Sequence, residues 1–273
     1  MTPIISAKKI CFEYFKGIKV LKNINFEINK GEVVAIIGQN GSGKTTLVKH
    51  FNGLLSPTKG EIIVKGEPTL NKTVAQLSRI SGYVFQNPDD QIFNSVVEKE
   101  VAFGPSNIGL KGKELKDRVN NALNLVGLFE KRKMHPLDLD LNQKKLVAIA
   151  SMIAMKPDLL MLDEPTTGQD HAGLIRVENL INELRKDYTV IIISHDMNLV
   201  SRVASRIVMM CEGEILFDGE PKKAFTKNAL LKKTYLKPPV ITELAQSLKG
   251  FKKDILTVDE FMEDLMRIKK KKK

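Results

Sequence analysis

The sequence predicts an α/β protein: a parallel sheet interleaved with helices, an antiparallel β subdomain at the N-terminus and an inserted α-helical subdomain. Three patterns carry this expectation. Runs that are apolar at every position, residues 33–37, 159–162 and 190–193, have the length of strands buried on both faces. Residues 4–15, weakly, and 24–28 alternate apolar with polar instead, as antiparallel strands with one covered face do. From residue 95 to residue 155 the period turns helical.

In chain order, Ile10, Phe12 and Tyr14 share one face of the first strand. Ile24, Phe26 and Ile28 share one face of the second, which ends at the turn Asn29-Lys30-Gly31. The strand at residues 32–37 runs into a Gly-rich loop, and residues 46–51 read as a helix start. Pro57-Thr58-Lys59-Gly60 reads as a turn, residues 61–64 as a strand, and residues 80–85 as a strand ended by Gln86-Asn87-Pro88-Asp89-Asp90. Val96, Val97, Val101 and Phe103 open the helical block. Leu115, Val119, Leu123 and Val126 form a stripe closed by Gly127, and a helix over 144–155 stops at Pro157. A strand at 159–162, a helix at 170–186, a strand at 189–193 and a hairpin around Glu212-Gly213 complete the pattern. Past about residue 226 the chain changes character. Residues 240–248 form a short amphipathic helix behind Pro238-Pro239. Residues 257–268 carry a capping box, Thr257 with Glu260, and a stripe of Val258, Phe261, Leu265 and Ile268. That stripe is either a docking surface or a helix folded back on its own core. The expected organisation is one domain over 1–225, with a helical subdomain at about 87–155 inserted, and a helical extension over 226–273 with a lysine-rich tail.

Composition narrows the class. With 273 residues, 42% apolar and 27% charged, the chain has the makeup of a soluble globular protein. Its longest nearly apolar run, residues 146–155, is far short of the ~20 residues that span a bilayer. The N-terminus lacks a charged-then-apolar signal pattern. Cys11 and Cys211 cannot build a disulfide framework and sit in no metal-ligand spacing, so a reducing interior is expected. The net charge of +11 raises nucleic acid as a partner, but five of those charges are the terminal run 269–273. Such a tail can equally touch anionic lipid or stand solvated. No nucleic-acid partner is expected.

Chemistry concentrates at three strand ends. Gly38-Gln39-Asn40-Gly41-Ser42-Gly43-Lys44-Thr45-Thr46 fits the G-x-x-x-x-G-K-[ST] phosphate loop, in the strand–loop–helix context that the motif needs. Its glycines let successive backbone N–H groups turn inward on an anion. Lys44 adds a point charge for β- and γ-phosphates, and the Thr45 hydroxyl can ligate Mg²⁺. The strand at 159–162 ends in Asp163-Glu164, two carboxylates that are costly there unless they face a metal or a solvated cleft. In a phosphate-loop protein the first belongs near Mg²⁺, and the second can orient or deprotonate the attacking water. The strand at 189–193 runs likewise into Ser194-His195-Asp196, where a neighbouring parallel strand would bring His195 to the phosphates.

This ordered set resembles the ATP-binding-cassette ATPases over about residues 4–225. Gln86 is similar to the Q-loop glutamine, Asp163-Glu164 to the Walker B pair, Gly168-Gln169-Asp170 to the D-loop and His195 to the switch histidine. Tyr14 is similar to the aromatic that stacks on adenine. The resemblance implies ATP and Mg²⁺ as ligands, with the nucleotide held by Tyr14, the loop Gly38 to Thr46 and Gln86. It implies Mg²⁺ on Thr45, Gln86 and Asp163, and catalysis by Glu164 and His195. The segments Val84-Phe85-Gln86-Asn87-Pro88-Asp89-Asp90-Gln91-Ile92-Phe93 and Pro239-Val240-Ile241-Thr242 resemble the energy-coupling-factor branch, which takes up cobalt and vitamins. Those transporters pair two such ATPases with a transmembrane coupling protein and a substrate-binding membrane protein. The resemblance therefore implies an ATP hydrolase, peripheral on the cytoplasmic face of the cell membrane, that powers uptake. Another chain would read the transported metal ion or vitamin.

One motif departs from the family. Where the signature Leu-Ser-Gly-Gly-Gln should stand, the chain has Leu139-Asp140-Leu141-Asn142-Gln143. The family's signature closes over the γ-phosphate on the partner subunit. Asp140 brings a negative charge there, and Leu141 and Asn142 bring side chains where glycine lets backbone approach. The expectation is an asymmetric heterodimer, in which this chain's own half-site works and the one it completes for its partner hydrolyses poorly. A homodimer with a degenerate signature is the simpler alternative. Competing readings are a soluble cassette ATPase acting on nucleic acid or ribosomes, and a regulatory subunit that binds ATP without turning it over. The compact interval between Lys44 and Asp163 disfavours long-armed chromosome relatives, and the intact Glu164 and His195 disfavour a silent subunit.

Overall fold

The structure, a computed structural model, describes residues 3–271. Lys272 and Lys273, the end of the basic run, lie outside the described residues. The chain runs β1 (Ile5–Glu13), β2 (Lys19–Ile28), β3 (Val33–Ile37), α1 (Lys44–Lys49), β4 (Lys59–Val64), β5 (Glu67–Pro68), α2 (Val74–Ser78) and β6 (Ser81–Val84). It continues through α3 (Val97–Asn107), α4 (Gly112–Leu125), α5 (Leu141–Met155), β7 (Leu159–Asp163), α6 (His171–Leu184), β8 (Thr189–Ile193) and α7 (Met197–Val203). It ends with β9 (Arg206–Cys211), β10 (Glu214–Gly219), α8 (Pro221–Phe225), α9 (Asn228–Lys233), α10 (Val240–Ser247) and α11 (Val258–Lys271).

Among the described residues the strands form two sheets. An antiparallel one has the order β2-β1-β4-β5, and a six-stranded one has the order β10-β9-β3-β8-β7-β6. In the larger sheet β3 pairs in parallel with both β8 and β9, β7 pairs with β6 and β8, and only β10 runs antiparallel. The all-apolar runs explain its interior position. Every residue of β3, β7 and β8 is buried, because both faces of the sheet are covered. Successive side chains go to opposite faces. Leu160, Leu162, Val190 and Ile192 pack under the α3–α6 helices. Leu159, Met161, Ile191 and Ile193 pack against α1 and the antiparallel sheet. The same alternation carries Asp163 and Tyr83 to the α1 side, while the parallel register brings the C-terminal ends of β3, β7 and β8 to one edge.

Several local readings need correction. Lys59 and Gly60 belong to β4 rather than to a turn, since Cys11 pairs with Lys59 across the sheet. The helix read as starting at residue 144 starts at Leu141, because the Asp140 side chain accepts the Gln143 N–H at 2.8 Å and caps it. The last helix does not bury the whole stripe read for it: Val258 is 63% exposed, whereas Asp264 is buried against Arg267 and the Lys252 N–H. Thr257 caps the Glu260 N–H, but the Glu260 carboxylate returns to the Leu256 N–H, one residue short of a capping box. Helix α2, unread in the sequence, does close a capping box, Thr73 with Gln76.

Candidate functional site

The loop after β3 is held by close backbone packing. A Cβ at Gly38 would meet the Met210 carbonyl at 2.2 Å, and Gly43 takes φ +99°, a conformation that glycine adopts freely. Lys44, 6% exposed, donates from Nζ to the Gly38 carbonyl at 2.8 Å and the Gln39 carbonyl at 2.9 Å. Burial pushes its pKa down, and the charges of Glu164 and Asp163 oppose that shift. Thr45 Oγ1 donates to Asp163 Oδ2 at 2.9 Å. These groups face an open cleft of about 560 Å³, lined also by Tyr14, Asn40, Gly41, Gly43, Thr46, Gln86, Glu164 and His195. Tyr14 is half exposed, its ring edge-on to Phe12 and its hydroxyl 3.2 Å from Thr46 Oγ1.

Eleven of the fourteen residues read as site residues from the sequence therefore line one cleft. Gly38, Gln39 and Ser42 do not. Gly38 and Gln39 contribute carbonyls to Lys44, the Gln39 amide turns toward Cys211, and Ser42 Oγ is buried without a partner.

The carboxylates differ in surroundings. Asp163 is buried, its Oδ2 taking both Thr45 and the Tyr83 hydroxyl, the latter at 2.6 Å, while Oδ1 has no partner. Burial and the Asp163 charge hold the Tyr83 phenol far above its ordinary pKa, so it remains a donor. Among the described residues no group of three or more His, Cys, Asp or Glu is arranged as a metal cage. The free Asp163 oxygen beside the Thr45 hydroxyl fits a hard cation held mainly by phosphates and water, with Gln86 at the cleft wall.

Glu164 is 6% exposed and has a left-handed backbone, φ +49°. Its Oε2 accepts from the His195 N–H at 3.3 Å and the Thr167 hydroxyl at 3.4 Å. Its Oε1 lies 3.2 Å from His195 Nε2 without hydrogen-bond alignment. Burial raises the carboxyl's pKa, helped by the Asp163 charge and opposed by the His195 N–H, Lys44 and Thr167. Burial and the Lys44 charge lower that of His195, so the imidazole is neutral near pH 7 and the contact is not an ion pair. A buried base with one unpartnered oxygen beside a neutral imidazole can take a proton from water.

Sequence reasoning missed Tyr83, Thr167 and Lys145. Tyr83 reaches Asp163 only through the β6–β7 register, which no local pattern announces. Lys145 donates to the Glu164 and Thr167 carbonyls. At the departed signature, Leu141 lies against Gly168, where an added Cβ would meet Leu141 Cδ2 at 3.0 Å.

A parallel sheet with a phosphate loop, a carboxylate pair and a histidine on three neighbouring strand ends defines a nucleotide-hydrolysing cassette. The ABC transporter family model matches residues 21–167, and the chain belongs to that family of ATP-binding, ATP-hydrolysing subunits. It is 44% identical over 278 residues to energy-coupling factor transporter ATP-binding protein EcfA1 of Caldanaerobacter subterraneus subsp. tengcongensis, spanning 98% of this chain and 100% of that one. Identity to EcfA of Methanocaldococcus jannaschii is 42% over 259 residues, 94% of this chain and 92% of that one. Among solved structures, cbiO1 from Clostridium perfringens, part of the ABC transporter complex cbiONQ, superposes with TM-score 0.77 at 36% identity, covering 85% of this chain and 94% of that one. The dimeric cassette MJ0796 with ADP and Pi superposes with TM-score 0.72 at 26% identity, covering 79% and 98%.

Proposed function

We propose that this chain is the ATP-hydrolysing subunit of an energy-coupling-factor type uptake transporter for a metal ion or vitamin, peripheral on the cytoplasmic face of the membrane. Identity of 42% and 44%, over nearly the full length, to two energy-coupling-factor ATP-binding proteins carries this reading. Residues 1–225 form the ATPase domain, and residues 226–273 an extension to it. No described helix is long and apolar enough to cross a membrane; in this reading the membrane subunits of the transporter hold the chain there.

In the cleft, Tyr14 stacks on adenine and the backbone of residues 38–46 with Lys44 holds the phosphates. Thr45, Asp163 and Gln86 would hold Mg²⁺, which would supply charge neutralisation for the phosphate oxygens. Glu164 Oε1 accepts a proton from the attacking water as its oxygen bonds to the γ-phosphorus and the bond to the bridging oxygen breaks. His195 orients the phosphoryl oxygens. The exposed, edge-on pair Phe93 and Phe103 offers a contact for the transmembrane coupling protein. Glu100, buried beneath, accepts the Phe93 and Asn94 N–H groups and keeps that loop in place.

The partner in the ATPase dimer is a second cassette with an intact signature. Asp140 spends its carboxylate capping α5, where the family serine would meet a phosphate, and Leu141 is 44% exposed. Changing Asp140→Ser, Leu141→Gly and Asn142→Gly together is expected to raise ATP turnover of the reconstituted pair severalfold; unchanged turnover would remove the asymmetry. The function itself is tested by isolating the chain from detergent-solubilised membranes of its own cells and identifying its companions. A second ATPase and a polytopic membrane protein are expected. Ribosomes or nucleic acid without a membrane protein would overturn the transporter reading.

A further inference from the structure

Lys145 lies one turn into α5 and is 5% exposed. Among the described residues its Nζ donates only to main-chain oxygens, the Glu164 carbonyl at 3.1 Å and the Thr167 carbonyl at 2.5 Å. Burial lowers its pKa, and the Glu164 charge alone opposes that shift. A buried ammonium facing two carbonyl dipoles is an expensive way to fill space that an unbranched apolar side chain would fill. What it holds is unusual too. The two carbonyls bracket the turn from Glu164 to Thr167, which closes when the Thr167 N–H reaches the Glu164 carbonyl at 3.3 Å. That turn keeps a glutamate in the left-handed region, where side chains other than glycine are strained, and such strain persists only where surroundings over-determine it. The neighbouring residue extends the link. Lys144 Nζ pairs with Asp89 at 2.9 Å, in the segment that follows Gln86.

We propose that Lys145 is a positioning residue for ATP hydrolysis: it clamps both ends of the 164–167 turn and so fixes the Glu164 carboxylate in the cleft, while tying that turn to the first turn of the signature helix. The tie runs through one rigid element. Asp140 caps α5, Lys144 reaches the segment beyond Gln86, and Lys145 reaches the carboxylate turn. A shift of the α5 N-terminus is therefore felt at Glu164 without passing through the nucleotide. The inference rests on Glu164 as the group that activates water.

The test uses the full chain with its co-purifying subunits and compares Lys145→Met, Lys145→Arg and wild type. Measured are kcat and KM for ATP, ATP affinity at equilibrium, and amide exchange across residues 164–170. Displacing a reacting group by about 1 Å costs on the order of 10²-fold in rate. Lys145→Met is expected to lower kcat at least ~10-fold, with KM and ATP affinity nearly unchanged and exchange across the turn clearly faster. Lys145→Arg, which keeps charge and donors, is expected to restore most of the rate. A kcat for Lys145→Met within twofold of wild type, a fall in affinity that matches the fall in kcat, or no rescue by Arg would each overturn the proposal. Should the Met variant fail to fold, Lys145→Ala, which also removes every donor and keeps helix propensity, is judged by the same criteria. Absent turnover in wild type would instead remove the ATPase reading itself, and survival of turnover in Glu164→Gln would remove the role of that carboxylate.

Discussion

Glu164→Gln is expected to reduce ATP turnover by at least ~10²-fold, the lower end of what a positioned general base contributes, while ATP still binds. The amide matches the carboxylate in shape, so its oxygen can keep the His195 N–H and Thr167 contacts. What it loses is the proton-accepting oxygen, Oε1, which has no hydrogen-bond partner among the described residues. Nucleotide affinity should change little, because the phosphate loop and Lys44 lie on a different strand end. Single-turnover phosphate release beside equilibrium ATP binding separates the two quantities. Release at near wild-type rate would show that another group accepts the proton.

Lys44→Met is expected to act on the complementary quantity. Truncating one partner of a buried, hydrogen-bonded charge pair costs about 2–5 kcal/mol, so ATP affinity should fall by roughly 30-fold to a few thousand-fold. Two effects add here. The β- and γ-phosphates lose their cation, and the Gly38 and Gln39 carbonyls lose the donor that holds the loop closed. Lys44 is nearly buried, so solvent screening offers little compensation. Calorimetric titration with ATP checks the prediction. Affinity within threefold of wild type would mean that backbone N–H groups alone hold the phosphates.

Much of this site is legible in the sequence because its residues sit at the ends of strands that are apolar throughout. A run such as residues 159–162 can only be a covered strand, and a charge at its end must emerge at an edge. Parallel order then gathers Lys44, Asp163 and His195. Side chains whose role depends on tertiary register are not legible. Tyr83 reads as one more strand aromatic, yet it supplies the shortest contact to Asp163. No sequence pattern singles out Lys145, and only the fold brings its ammonium to the 164–167 turn. The start of α5 was within reach. Asp140 with Gln143 has the spacing of a helix cap.

The strand order has a consequence for how the chain is made. Strand β3 carries the phosphate loop, yet both of its neighbours, β8 and β9, are translated more than 150 residues later. During synthesis an apolar strand with two open edges must therefore wait, unpaired, while the antiparallel sheet and the helical block emerge. Exposed edges of this kind invite wrong pairing. The cleft is incomplete in this interval, because it needs the ends of β7 and β8. The complete cleft, with the ends of β3, β7 and β8 side by side, is thus among the last features of the fold to form.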